Sequence, residues 1–269
     1  RGDTLASALL ANGVTLVGRS FKYGRPRGIV GHGAEEPNAI VQVGRGALTI
    51  PNLRATQVEI YEGLEASSVT GWPSLEFDLK SIAGWFGALM PPGFYYKTFM
   101  WPARLWMTYE RVIRAAAGLG TAPAQPDPDS YDKLNHHCDV LVVGGGPAGI
   151  AAALSAAASG ARVIIADEQQ ELGGSLLASP AAINGEPCGA WLSESCARLQ
   201  SSGNVVVLPR STVFGYYDHN FLAILERRAD HLEPGVASGA RQRLHRVRAR
   251  RVILATGAIE RPLVFANND

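Results

Sequence analysis

Cysteine is scarce. The chain has three, Cys138, Cys188 and Cys196, an odd number with no CxxC pair. That excludes a disulfide framework and suits a reducing compartment, so a cytoplasmic location is expected. An excess of one charge is lacking too. The formal net charge is +1, without the basic surplus of dedicated nucleic-acid binders. No run of about 18 apolar residues is free of charge and of Gly/Pro breaks, so no transmembrane helix is expected. Neither nucleic acid nor membrane is therefore an expected partner. What is present is core-forming material. Hydrophobic residues make up 46% and charged residues 18% of 269 residues, enough for roughly two domains and against intrinsic disorder.

Composition divides the chain into residues 1–62, 63–137 and 138–269. The first stretch reads as a small α/β region. Asp3 or Thr4 can cap a short helix whose apolar face is Leu5, Leu9 and Leu10, and Gly13 ends it. Ala39–Val43 and Gln57–Tyr61 alternate like strands. In the second stretch, eleven aromatic residues crowd between Trp72 and Tyr109. The run Pro91-Pro92-Gly93-Phe94-Tyr95-Tyr96 cannot be helical, because consecutive prolines fix φ and remove donors. Pro102 precedes a predicted helix at Ala103–Ala117. The aromatics suit a small core under a long loop, and equally a docking surface for another subunit. Thr121–His137, rich in Pro and Asp and poor in apolar side chains, reads as an interdomain linker.

The third stretch carries the chemistry. An apolar strand at Cys138–Val143 runs straight into Gly144-Gly145-Gly146-Pro147-Ala148-Gly149. A small-residue helix, Ile150–Ser159, follows. A second apolar strand, Arg162–Ala166, ends at Asp167-Glu168. G-x-G-x-x-G alone is weak evidence. Here the strand, the helix and the acidic residue 23 positions on are all in place. Gly144 permits the tight turn, and Gly146 lets a pyrophosphate approach the backbone. Gly149 lets the helix pack on the sheet, while the helix N-terminus offers N–H groups to phosphate. Asp167 is placed for a ribose hydroxyl and would repel a 2′-phosphate, which favours NAD or FAD over NADP.

Downstream, Leu172-Gly173-Gly174-Ser175 follows at a spacing typical of two-dinucleotide-binding flavoproteins. Val205–Leu208 reads as a strand, Ser211–Tyr217 and Phe221–Arg228 as a hairpin, and Gly189–Ser201 as a helix. Val213 stands where such folds contact the adenine end with backbone groups. Arg251–Ala255 leads to Thr256-Gly257, like the second glycine signature of that superfamily.

Several stretches of this chain together resemble a known family. They are Ala6–Gly13, then Gly18-Arg19-Ser20-Phe21-Lys22-Tyr23-Gly24-Arg25-Pro26-Arg27-Gly28, Glu35-Glu36-Pro37-Asn38-Ala39, Pro51-Asn52-Leu53-Arg54-Ala55-Thr56, Gly93–Pro102 and Asp167-Glu168-Gln169. The family is that of the alpha subunits of heterotetrameric sarcosine oxidase. The resemblance implies an α/β chain: a cluster-free ferredoxin-like (β-grasp) domain, then a Rossmann-like two-dinucleotide-binding (FAD/NAD(P)) domain. Cluster-bearing relatives place three cysteines where this chain aligns Gly31, Glu36 and Ala39. A cluster takes about four thiolates, and no cysteine precedes Cys138, so no iron–sulfur cluster is expected.

The family's enzyme oxidatively demethylates sarcosine with tetrahydrofolate and O2, giving glycine, 5,10-methylenetetrahydrofolate and H2O2. The resemblance implies NAD in this chain, contacted at Ala148, Asp167, Glu168, Gln169, Ser175 and Val213. Gly144, Gly146, Pro147, Gly149, Gly174, Thr256 and Gly257 complete the cofactor-binding set. It also implies FAD and FMN with the beta subunit, and beta, gamma and delta subunits as partners. Tetrahydrofolate would bind in a carboxy-terminal domain beyond residue 269. No catalytic residue is expected here, and this stretch alone is expected to be inactive. The missing initial Met and the stop soon after the last apolar strand give the expectation of one and a half domains of a larger subunit.

Two rival readings stand beside this one. The chain could come from an FAD-dependent opine or amino-acid dehydrogenase complex, or be a non-catalytic scaffold. The six arginines of Arg241–Arg251 read as a solvated strand feeding the last apolar run. Arg19, Lys22, Arg25 and Arg27 form a second basic group, either solvated or set against a phosphate or an acidic surface. His136-His137-Cys138 lacks a second ligand cluster for a metal. Cys188 and Cys196 read as buried small residues, and Glu260-Arg261-Pro262 as a turn beside the cofactor.

Overall fold

The computed structural model describes residues 3–21, 23–79, 81–82, 101–183, 185–236 and 238–259. The runs at 91–96 and 260–262, Lys22, and most of the 93–102 motif lie outside the described residues. Two compact units separate between Pro128 and Asp129.

In the first unit, helix α1 (Leu5–Ala11) starts because the Thr4 side chain accepts the Ser7 N–H while Ser7 reciprocates toward the Thr4 backbone. Gly13 closes it at φ +74°. Strands β1 (Gly18–Arg19) and β2 (Pro26–Arg27) form a short antiparallel ladder. Strand β3 (Ile40–Val43) lies between β4 (Ile50–Arg54) and β5 (Ala66–Ser68), antiparallel to both. Ala6, Val17, Ala39, Val41, Val43, Ala55 and Val58 make the core. The strand expected at Gln57–Tyr61 is not formed. The Leu5 N–H bonds the Val58 carbonyl and the Ile60 N–H bonds Asp3, a single bridge that the start of α1 cuts short.

Beside this core the loop at 30–39 closes around Glu36, which is fully buried. One carboxylate oxygen accepts the N–H groups of Val30 (2.9 Å) and Gly31 (2.6 Å). The other accepts those of Asn38 (2.7 Å) and Ala39 (3.0 Å). Helix α2 (Trp106–Ala116) follows a 3-10 turn at Ala103–Leu105 and buries no side chain; Trp72, Phe77, Trp101 and Met107 are exposed.

The second unit is built on a six-stranded sheet. Its strands are β6 (Tyr131–Val143), β7 (Val163–Ala166), β10 (Val205–Leu208), β11 (Ser211–Tyr217), β12 (Phe221–Arg227) and β13 (Gln242–Leu254). Their order is β10-β7-β6-β13-β12-β11. The first four are mutually parallel, and β12 and β11 continue antiparallel. Helices α3 (Pro147–Ala158) and α4 (Cys188–Ser201) pack Ile150, Ala153 and Leu199 against Val142, Val163 and Ile165. A small ladder, β8 (Ala182–Ile183) with β9 (Glu186–Pro187), precedes α4. The opposite face gathers Leu141, Val143, Ile164, Leu222, Ile224 and Val247.

One expectation is corrected here. The linker does not run to His137, because Tyr131–His137 is the first half of β6. Its polar residues pair with the arginine-rich half of β13. Asp132 lies opposite Arg243 in the ladder and takes its guanidinium in two bonds of 2.8 Å. Arg241 spans Asp129 and Asp230. The arginine run itself alternates: Arg246, Arg248 and Arg250 face outward while His245, Val247 and Ala249 are buried. The solvated-strand reading of that run agrees with this pattern.

Candidate dinucleotide site

The parallel strands β6 and β7 end side by side, and the Gly144 N–H closes onto the Ala166 carbonyl at 2.8 Å. Gly144 holds φ +101°, a region that favours glycine. A Cβ there would strike the Ala255 carbonyl, and one on Gly149 would strike the Gly144 carbonyl. These two glycines bring the loop under the end of β13 and the helix onto the sheet. Gly146 differs. A Cβ on it would meet nothing within 4 Å. It is the open side of the loop, the cradle a pyrophosphate would occupy.

Pro147 starts α3 at its first position, and no side chain caps the helix or places an acid in its first turn. The N–H groups of Ala148 and Gly149 fall among the first-turn donors that a helix cannot satisfy internally. Ala148 is exposed. Partial positive charge and unspent donors therefore converge beside Gly146.

Asp167 follows β7. Its Oδ2 accepts the Gly145 N–H at 2.5 Å and its Oδ1 the Gln169 N–H at 2.7 Å. The carboxylate thus staples the glycine loop to the turn after β7. Each oxygen retains a second lone pair, so a ribose hydroxyl can share it. Glu168 and Gln169 stand beside it, half-buried. The Glu168 carbonyl takes the Arg227 guanidinium at 2.6 Å, and the Gln169 carbonyl takes the Arg210 N–H at 2.7 Å.

Gly173 and Gly174 form the far wall. The Gly173 N–H donates to the Gly145 carbonyl at 2.8 Å, with φ +140° at Gly173 and +53° at Gly174. A Cβ on Gly174 would sit 3.0 Å from the Gly146 Cα. Ser175, in the 3-10 turn that follows, is exposed. Thr256 and Gly257 are exposed just past β13, where Ala255 donates to the Val143 carbonyl at 2.7 Å.

The structure therefore brings Gly144–Gly149, Asp167, Gly174 and the chain before Thr256 into one locus. Val213 is tied in less directly. Strand β11 begins with the Ser211 N–H on the Asp167 carbonyl (2.7 Å), but the Val213 side chain packs on the core and its backbone pairs with Ile224. A register shift between Val213 and Gly215 interrupts the ladder there. The cofactor-binding set read from the sequence leaves out Gly145, Leu172 and Gly173, which lie within its own motifs, and Arg227, which lies outside them. A Cβ on Gly145 would run into Leu172 and Asp167. The triple glycine at 144–146 and the doublet at 173–174 were the available signals.

Elsewhere in this unit, burial and the neighbouring Asp139 push the Cys138 thiol up to about 11. The bidentate Arg162 guanidinium holds Asp139 down to about 2. Among the described residues, no group of three His, Cys, Asp or Glu side chains could hold a metal ion. No described helix is long and apolar enough to cross a membrane.

Comparison with known proteins places this locus in context. Residues 139–253 match the family described as FAD dependent oxidoreductase. Over all of its length the chain is 55% identical to sarcosine oxidase subunit alpha of Rhizobium meliloti (strain 1021), covering 27% of that protein. It is 38% identical to sarcosine oxidase subunit alpha of Corynebacterium sp. (strain U-96), covering 24% of it. The chain thus spans about a quarter of the length of the curated relatives it matches. Among solved structures, L-proline dehydrogenase from P. horikoshii aligns over the whole chain and 40% of its own, with a TM-score of 0.56 at 20% identity, a likeness of fold.

Residues 1–71 match the family described as 2Fe-2S iron-sulfur cluster binding domain. This match overturns the expectation of a cofactor set without an iron–sulfur cluster. The side chains present in 1–71 include no thiol. Within this stretch, the loop at 30–39 turns four N–H groups onto the Glu36 carboxylate. These residues do not match a four-thiolate ligand set, and no chemical step is assigned to a cluster.

Proposed function

We propose that residues 129–258 bind the adenine dinucleotide NAD, within the alpha subunit of a complex that oxidatively demethylates sarcosine. The observation that carries this reading is the Gly146 cradle: an open glycine flanked by two closed ones, facing an uncapped helix N-terminus. The Ala148 and Gly149 N–H groups bind the pyrophosphate. Asp167, Glu168 and Gln169 hold the adenosine ribose, and the two carboxylates disfavour a 2′-phosphate. Ser175, Thr256 and Gly257 border the pyrophosphate, and Val213 lies toward the adenine. When bound, the dinucleotide supplies a nicotinamide, which this chain's residues orient.

In this reading sarcosine is oxidised on the beta subunit, which carries FAD and FMN, and gamma and delta subunits complete a heterotetramer. Tetrahydrofolate takes the one-carbon unit in a further domain, O2 is reduced to H2O2, and glycine is released. Support comes from similarity to sarcosine oxidase alpha subunits over the whole of this chain, about a quarter of their length. A second reading puts FAD in the same cradle, favoured by the FAD dependent oxidoreductase match. Acid denaturation of the full-length protein followed by mass spectrometry separates the two. Release of NAD supports the first; release of FAD from a chain freed of its partners supports the second.

A further inference from the structure

The first unit holds a cavity of about 300 Å³ between β2, β3 and the residues after α2. Its polar wall includes Arg19, Arg27 and Asn38; Ile40, Val69 and Leu119 are apolar. Among the described residues, no carboxylate lines it. The two guanidinium groups differ in employment. Arg19 is spent on main-chain carbonyls: Leu75 at 2.5 Å, Gly24 at 2.8 Å and Glu76 at 3.2 Å. Arg27 Nε is buried and has no hydrogen-bond partner. Arg25, also in the basic group read from the sequence, lies over the Tyr23 ring at 4.9 Å.

That Nε is closed off from the cavity as well, so it is not the atom a ligand reaches. Among the described residues, no hydrogen bond or ion pair engages the Arg27 guanidinium, which is one of the groups lining the cavity. An anion suits this cavity, because its described lining has two guanidinium groups and no carboxylate. A guanidinium matches a carboxylate in shape as well as charge, through two parallel N–H···O bonds. The apolar wall opposite gives such a ligand somewhere to place a hydrocarbon body. The volume lies at the low end of small-molecule sites.

We propose that this cavity binds a small organic carboxylate, with the carboxylate on Arg27 and its aliphatic body against Ile40, Val69 and Leu119. The site lies wholly in the first unit and does not depend on which dinucleotide the second unit holds. The same carboxylate chemistry could be presented by an Asp or Glu of another polypeptide, and the test separates the two.

Isothermal titration calorimetry on the full-length protein, with its partners as purified, would use straight-chain monocarboxylates from formate to hexanoate, with inorganic phosphate as a comparison. Saturable binding that tightens with chain length until the cavity is filled is the expected result. Arg27→Gln should weaken hexanoate at least tenfold. Ala117→Leu, which enlarges a side chain lining the cavity and leaves Arg27 in place, should weaken hexanoate more than formate. That second variant keeps the test decisive if Arg27→Gln fails to fold. Equal responses to phosphate and hexanoate, or undiminished binding in both variants, would overturn the proposal. Failure of every free carboxylate, with Arg27→Gln loosening a partner subunit instead, would overturn the small-molecule site in favour of a polypeptide carboxylate.

Discussion

His136 Nε2 lies 2.9 Å from His245 Nδ1, and the far nitrogen of His245 lies 2.9 Å from Glu226 Oε2. The three residues come from β6, β13 and β12, so the row ties together three neighbouring strands. Burial, then His245, then Arg243 push the His136 imidazole below its ordinary value. Asp132 is paired with Arg243, Asp139 with Arg162, and Glu226 meets His245, so the three carboxylates on these strands are already engaged. A group whose folded pKa is depressed contributes stability above its unfolded value, and that stability is lost as pH falls through the folded value. The second unit should therefore lose stability as pH drops below about 6.5. Thermal melts between pH 7.5 and 5 should show this, with a shallower slope in His136→Gln. Equal slopes would remove His136 from the account.

Glu36 should hold the 30–39 loop. Replacing it with Ala leaves four main-chain N–H groups without their acceptor, a loss on the order of 3 kcal/mol to that loop's closed state. Hydrogen exchange followed by mass spectrometry should show peptides over 30–39 exchanging far faster in Glu36→Ala, with Glu36→Gln between it and the unaltered chain. Unchanged protection would mean that the carboxylate does not close the loop.

Folding and ligand retention should separate at the glycine loop. Gly146→Ala meets open space and should melt within about 1 kcal/mol of the parent, while losing tenfold or more in dinucleotide affinity. Gly149→Val drives its side chain into the Gly144 carbonyl and should lose both stability and ligand. If Gly146→Ala binds as the parent does, the cradle is not where the pyrophosphate lies.

Cys138 should be inert. It is 3% exposed and its thiol is pushed up to about 11, so little thiolate exists at pH 8. Iodoacetamide should label it only after denaturation. Rapid native labelling would show that β6 opens locally.

What the sequence revealed of this architecture follows from the range of the interactions involved. The glycine loop was legible because its constraints are local: a strand, a turn with positive φ, and a helix within one run of residues. The first half of β6 was not. Asp132, Asn135 and His136 look like linker until Arg243 and His245, over a hundred residues away, supply their partners. Gln57–Tyr61 alternates like a strand, but its neighbour in space is the capped start of α1. Glu36 gave no signal at all, since nothing in Glu-Glu-Pro-Asn says that one carboxylate turns inward to collect four N–H groups. Asp167 stands at the end of β7, as its position in the sequence suggests, and its carboxylate also accepts the Gly145 and Gln169 N–H groups. Its hold on Gly145 is as much a feature of the site as its position for a ribose.

The central claim is that Gly144–Gly149 cradle a nicotinamide dinucleotide. Quantitative mass spectrometry of the supernatant after acid denaturation of the full-length protein tests it most directly. Close to one NAD per chain is predicted, falling to near zero in Gly149→Val. Release of FAD from this chain in its place, or no dinucleotide at all, would contradict it.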